Sequence, residues 1–211
     1  PFRDSTFSHE ARIGRITAGT ISAQGILQRG TARWDGTRIA LPLRASVARI
    51  TSGNALFDPR LVNGGVAGNL IWQGKALTTP ELALRFQGLE GRLAFDADLA
   101  TGLTRLSGPV RAQGLPLANI GTADANADIR FAIGGGVPWR LEAAVNGRLA
   151  QVSNPSITTL AGSNIRFSGG LALGASRPLS FNRMRLTASK LTALLDGRVQ
   201  DGRTMLTGSG R

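Results

Sequence analysis

The chain has 211 residues, 42% of them hydrophobic, enough to bury a sizeable core as one large domain or two small ones. It contains no Cys, which excludes disulfides, thiolate metal sites and a Cys nucleophile, and its single histidine leaves little for acid–base chemistry. The formal net charge is +12, and all but Lys75 and Lys190 of the 25 basic residues are arginines scattered from Arg3 to Arg211; that spacing suits wetted outer strand faces better than a nucleic-acid track.

The N-terminal stretch PFRDSTFSHEAR lacks the apolar core of a signal peptide, and no run approaches the roughly 18 apolar residues of a membrane span. His9 is read as an exposed polar residue of a first strand, not as a catalytic base. Residues 1–30 form the N-terminal strands of a single β-rich segment covering 1–211, and Trp34-Asp35-Gly36 marks a turn. Leu82-Ala83-Leu84-Arg85-Phe86 alternates with period two. Gly91 to Leu99 puts Leu93, Phe95, Ala97 and Leu99 on one face and Arg92, Asp96 and Asp98 on the other. Asp96 and Asp98 share a face as a catalytic carboxylate pair would, but there they are expected to pair with arginines of adjacent strands.

After a turn at Ala100-Thr101-Gly102, Pro116 is expected to open a single helical turn in LPLANIG (115–121). Ile129, Phe131 and Ile133 oppose Asp128 and Arg130 in the next strand. Gly134-Gly135-Gly136 precedes Val137-Pro138-Trp139 and no helix, so it is a turn and not a phosphate loop. Leu141, Ala143 and Val145 alternate again. Asn154-Pro155 to Gly162 has an N-cap, Pro at the first position and Gly past the end, which predicts a short helix using Ile157 and Leu160. Asn164-Ile165-Arg166-Phe167 returns to alternation. Ala175-Ser176-Arg177-Pro178 and Asp196-Gly197 read as turns, and Asp201-Gly202 as a two-residue hairpin turn within Leu191–Arg211.

Turns every eight to twelve residues or so in the better-marked regions indicate an all-β, antiparallel protein. A sheet with one apolar face must bury it against a second sheet, in a closed barrel, or by curling around something apolar. Composition alone does not choose among these, and a sandwich is the default. The phenylalanines fall in phase with the aliphatic side, which argues against base stacking and specific nucleic-acid binding.

The phrases Arg49 to Gly53, Leu89 to Leu93, Asp98 to Gly102, Leu106 to Gly108, Ile165 to Gly169, Leu179 to Leu186, Leu191 to Gly197, Asp201 to Arg203 and Leu206 to Gly210 resemble the TamB (translocation and assembly module) family in its alphaproteobacterial form. The resemblance spans roughly residues 30 to 211, and the wider AsmA-like group shares much of it. It implies a segment of an inner-membrane-anchored, periplasmic protein of a Gram-negative bacterium. The fold it implies is an elongated, curled antiparallel or mixed β-sheet forming a β-taco-like groove, with one or two very short helices. The function it implies is to shield phospholipid acyl chains in transit between the inner and outer membranes, linked to outer-membrane protein assembly through the barrel partner TamA. No catalytic residue, metal or cofactor is carried over, and no transmembrane segment falls within this stretch. The groove lining would be Leu82, Leu84, Phe86, Leu93, Phe95, Ala97, Leu99, Ile129, Phe131, Ile133, Leu141, Ala143, Val145, Ile165, Phe167, Leu195, Val199 and Leu206. The alternative is a structural or chaperone-like β-module without lipid. On the groove reading, Phe131→Asp or Leu93→Arg spoils lipid passage but spares much of the sheet; in a sandwich core either change unfolds the domain.

Overall fold

The computed structural model describes residues 5–54, 57–117, 119–162, 164–175, 177–200 and 203–210. Alternation becomes strand along most of that length. In chain order the strands are β1 (Ser5–Ala18), β2 (Ile21–Trp34), β3 (Ile39–Thr51), β4 (Val62–Gln73), β5 (Ala76–Phe86), β6 (Leu89–Asp98), β7 (Leu103–Leu117), β8 (Gly121–Gly134) and β9 (Val137–Val152). A short helix α1 (Pro155–Ala161) follows, then β10 (Arg166–Gly174), β11 (Arg177–Thr187), β12 (Thr192–Gln200) and β13 (Arg203–Gly210). The protein is all-β. Among the described residues thirteen strands form one antiparallel sheet in strict sequence order, with β1 and β13 as its edges and no pairing between them that would close a barrel.

Not every expected turn interrupts a strand. Asp196-Gly197, expected as a turn, lies within β12, where Gly197 is paired with Phe181 on one side and Leu206 on the other. Its missing Cβ leaves room for the Leu206 side chain, while Asp196 Oδ1 accepts a hydrogen bond from Arg183 N at 2.7 Å where β11 bulges. The helical turn expected at Pro116 is likewise replaced by strand: β7 runs on to Leu117, and Leu115 is buried. A residue before proline is steered to extended backbone, which keeps Leu115 in the ladder. The chain then reverses through a turn in which Ile120 N donates to Leu117 O; Ala118 lies outside the described residues.

Other turns follow their sequence. Asp35 Oδ1 accepts from Thr37 N and Arg38 N, and Asp98 accepts from Ala100 N and from the Thr101 hydroxyl. Both are aspartates folding back on their own backbone, as turns favour. The α1 cap is as its sequence indicates, with Asn154 accepting from Ser156 N, Pro155 next and Gly162 at φ 85°. The helix buries Ala161, however, and leaves Leu160 exposed. Gln200 is paired with Arg203, while Asp201, Gly202 and Ser176 lie outside the described residues.

Two compact units divide the chain, one comprising Pro1–Gly108 with Phe131–Trp139, the other Pro109–Arg130 with Arg140–Arg211. No helix among the described residues is long and apolar enough to cross a membrane.

Candidate functional site: an apolar face in each unit

Because directly paired residues on neighbouring strands share a face, the register shows where each apolar side chain lies. In the first unit, Leu41 faces Leu70, Leu43 faces Gly68, and Val47 faces Gly64. Gly68 and Val66 face Leu82 and Leu84, which face Leu93 and Gly91; Phe86 faces Leu89, Thr79 faces Phe95, and Leu77 faces Ala97. Gly108 continues the row, since a Cβ there would come within 3.3 Å of the Leu93 Cα. Phe131 and Trp139 close it with ring centroids 6.4 Å apart.

The second unit repeats the arrangement. Leu141, Ala143, Val145 and Gly147 face Leu173, Leu171, Gly169 and Phe167. Phe167 faces Leu186 and Leu171 faces Phe181; beyond them, Met184 faces Leu195, Leu179 faces Val199, and Gly197 faces Leu206.

The eighteen residues expected to line a groove divide by burial. Leu82, Phe86, Leu93, Ala97, Val145 and Ile165 are buried. Leu84, Phe95, Ile129, Phe131, Ile133, Leu141, Ala143, Phe167, Leu195 and Val199 are half-buried. Leu99 and Leu206 are 50% and 54% exposed, the first because β6 ends at Asp98 and the second because β13 is an edge strand. The expectation missed much of the first four strands, including Ala32, Val47 and Leu70, all buried. Their signal was present in Leu41-Pro42-Leu43-Arg44-Ala45-Ser46-Val47, but an internal proline argues against a continuous strand.

The first unit explains how a single sheet hides such residues. The Trp139 indole N–H donates to the Thr20 hydroxyl at 2.9 Å, joining the start of β9 to the turn between β1 and β2. Seven strand steps at about 4.8 Å would separate β2 from β9 by about 34 Å in a flat sheet. The unit's sheet therefore bends back on itself. Its apolar face is the inner one, since Leu93 at 2% exposure and Ala32 at 0% have no second sheet over them among the described residues.

The opposite face carries the charged side chains, with exposed Leu194 and Met205 among them in the second unit. Arg105 pairs with Asp96 at 3.2 Å, as alternation suggested, and Arg92 with Glu81 at 3.9 Å. Asp98 instead holds its turn, so the two aspartates do not act together. His9 is half-buried and not exposed as expected: Phe7 lies beside it at 6.5 Å between ring centroids, and Gln28 Nε2 is 3.3 Å from its Nε2. Gln28 is the notable polar group on the apolar side. It donates to Pro42 O at 3.0 Å and accepts from Arg44 N at 2.8 Å, bridging the stretch where the β2–β3 ladder is interrupted. Among the described residues no group of three or more His, Asp or Glu is placed to hold a metal.

Comparison with protein-family models, with curated proteins and with solved structures finds no match for the chain.

Proposed function

We propose that this chain is a segment of a TamB-like protein whose sheet keeps phospholipid acyl chains out of water. The observation that carries the reading is the one-sided apolar face, present strand after strand in each unit, with no second sheet among the described residues to cover it. Ten of the expected lining residues are only half-buried, which leaves apolar surface for a guest. Each methylene withdrawn from water contributes about 0.8 kcal/mol, so a tail of about fourteen carbons contributes on the order of 11 kcal/mol before ordering costs. The guest would lie against Phe95, Phe131 and Ile133 in the first unit and Leu141, Phe167 and Val199 in the second. Periplasmic location, anchoring in the inner membrane and cooperation with an outer-membrane barrel of the TamA kind belong to this proposal through the sequence resemblance.

The test is to express residues 1–211 in a bacterial host, purify without detergent, and analyse the denatured protein by lipid mass spectrometry beside a β-sandwich control. Phospholipid well above the control is expected. Lipid-free, monodisperse protein with a cooperative melt would overturn the proposal and leave a structural β-module in its place.

A further inference from the structure

On the charged face of the second unit, β7 to β11 gather arginines around one depression. Arg166 sits directly across from Arg148 in one ladder and from Thr187 in the next. One step along, Ser168 faces Asn146 on one side and Arg185 on the other. Arg111, Asn126 and Asp124 complete the rim of a depression of about 520 Å³. Short hydrogen-bonding side chains and long cationic ones thus line the same depression.

Like charges directly opposite each other on adjacent strands destabilise a sheet. The Arg148–Arg166 pair is therefore a cost unless an anion lies between the guanidinium groups. Asp124 supplies only part of that charge. One of its oxygens accepts from Gly114 N at 2.9 Å, and the other pairs with Arg148 at 3.4 Å. Arg111, Arg166 and Arg185 form no ion pair with any described residue. With Arg148 paired to Asp124, three more arginines line the same depression: Arg111, whose charge also acts on Asp124, Arg166 and Arg185.

We propose that this hollow binds a phosphate-bearing anion, gripped by Arg111, Arg166 and Arg185, with Asn146 and Ser168 as further donors. Guanidinium forks match phosphate oxygens bidentately, and the tetrahedral spread of those oxygens lets donors on different strands bind one ion, where a carboxylate offers only two oxygens in one plane. A nucleic-acid strand fits less well, because the only ring in the lining, Phe167, belongs to the apolar row and leaves no platform for a base. The site lies on the charged face and is independent of whether the apolar face holds lipid.

The test uses the whole 211-residue chain, an Arg166→Gln/Arg185→Gln variant, and an Arg15→Gln/Arg49→Gln control that removes the same charge from exposed positions of the first unit. Titration with inorganic phosphate at constant ionic strength, read by calorimetry and by melting temperature, is expected to saturate for the parent and the control. The site variant should bind at least about tenfold more weakly. It should also melt no lower than the parent in phosphate-free buffer, because a repulsion has been relieved. Sedimentation with vesicles of phosphatidylcholine, with and without about one-third phosphatidylglycerol, separates the sources. Site-dependent capture only by the anionic vesicles assigns a lipid headgroup, and saturation by inorganic phosphate without capture assigns a soluble phosphate. Equal weakening in both variants, or no saturable binding of either probe, would overturn the proposal.

Discussion

The Phe86 ring lies directly over Gly64 across the β4–β5 ladder, and a Cβ at Gly64 would overlap the ring. The same device recurs where Phe167 covers Gly147. A large side chain thus occupies the space that a neighbouring strand leaves vacant, which lets a single sheet pack its own apolar face. Gly64→Ala is therefore predicted to lower stability by about 1–3 kcal/mol through overpacking. Gly14, on edge strand β1, has nothing within 4 Å of a Cβ, and Gly14→Ala should be neutral or stabilising by about 0.5 kcal/mol. Urea unfolding of the two variants checks the contrast; equal effects would contradict it.

Gln28 serves two backbone groups where the β2–β3 ladder parts around Pro42, accepting from Arg44 N and donating to Pro42 O. Gln28→Leu keeps the volume but strands Arg44 N and Pro42 O in a part-buried position. We predict a loss of about 1–3 kcal/mol, with hydrogen exchange of the Arg44 amide accelerated more than that of Leu70. An unchanged melt would mean that water takes over both partners.

Burial separates two substitutions that alternation alone treats alike. Leu93 is 2% exposed and enclosed by its own unit, so Leu93→Arg is expected to abolish cooperative folding whatever the protein carries. Phe131 is half-buried, and Phe131→Asp should cost only about 1–2 kcal/mol while reducing bound phospholipid. Circular dichroism melts beside lipid mass spectrometry distinguish the two. If Phe131→Asp retains the full lipid load, Phe131 does not touch the guest.

Much of this fold is legible in the sequence because period two is a short-range signal. In Leu82–Phe86, Gly91–Asp98, Ile129–Ile133 and Leu141–Val145 the alternation of apolar and charged residues assigns side chains to their faces, and register carries those faces across the sheet. What is not legible depends on contacts far apart in sequence. Nothing near Trp139 announces that its indole reaches Thr20, and nothing near Asp196-Gly197 says that the missing Cβ serves Leu206 instead of a turn. The arginine hollow is hidden for the same reason. Arg148, Arg166 and Arg185 each lie on a different strand, far apart in sequence, and only the ladder brings them together.

The aspartates set the response to acid. Hydrogen bonding from Arg38 holds Asp35 well below the usual aspartate range, and backbone donation from Ala100 and from Gly114 lowers Asp98 and Asp124. At Asp58 burial pushes upward, but the hydrogen bonds from Ser52 and Gly53 together outweigh it and the net direction is down. A carboxyl whose folded pKa is depressed contributes stability that is present in full above its unfolded value, near 3.9, and is lost as the pH falls through the folded value. The urea midpoint is therefore expected to stay level from about pH 7 to pH 5 and to fall below about pH 4. An Asp58→Asn/Asp98→Asn variant, with neither carboxyl left to titrate, should be less stable at neutral pH and show a shallower acid limb. Parallel acid limbs for variant and parent would mean that these two turn aspartates are not the groups whose protonation drives the loss.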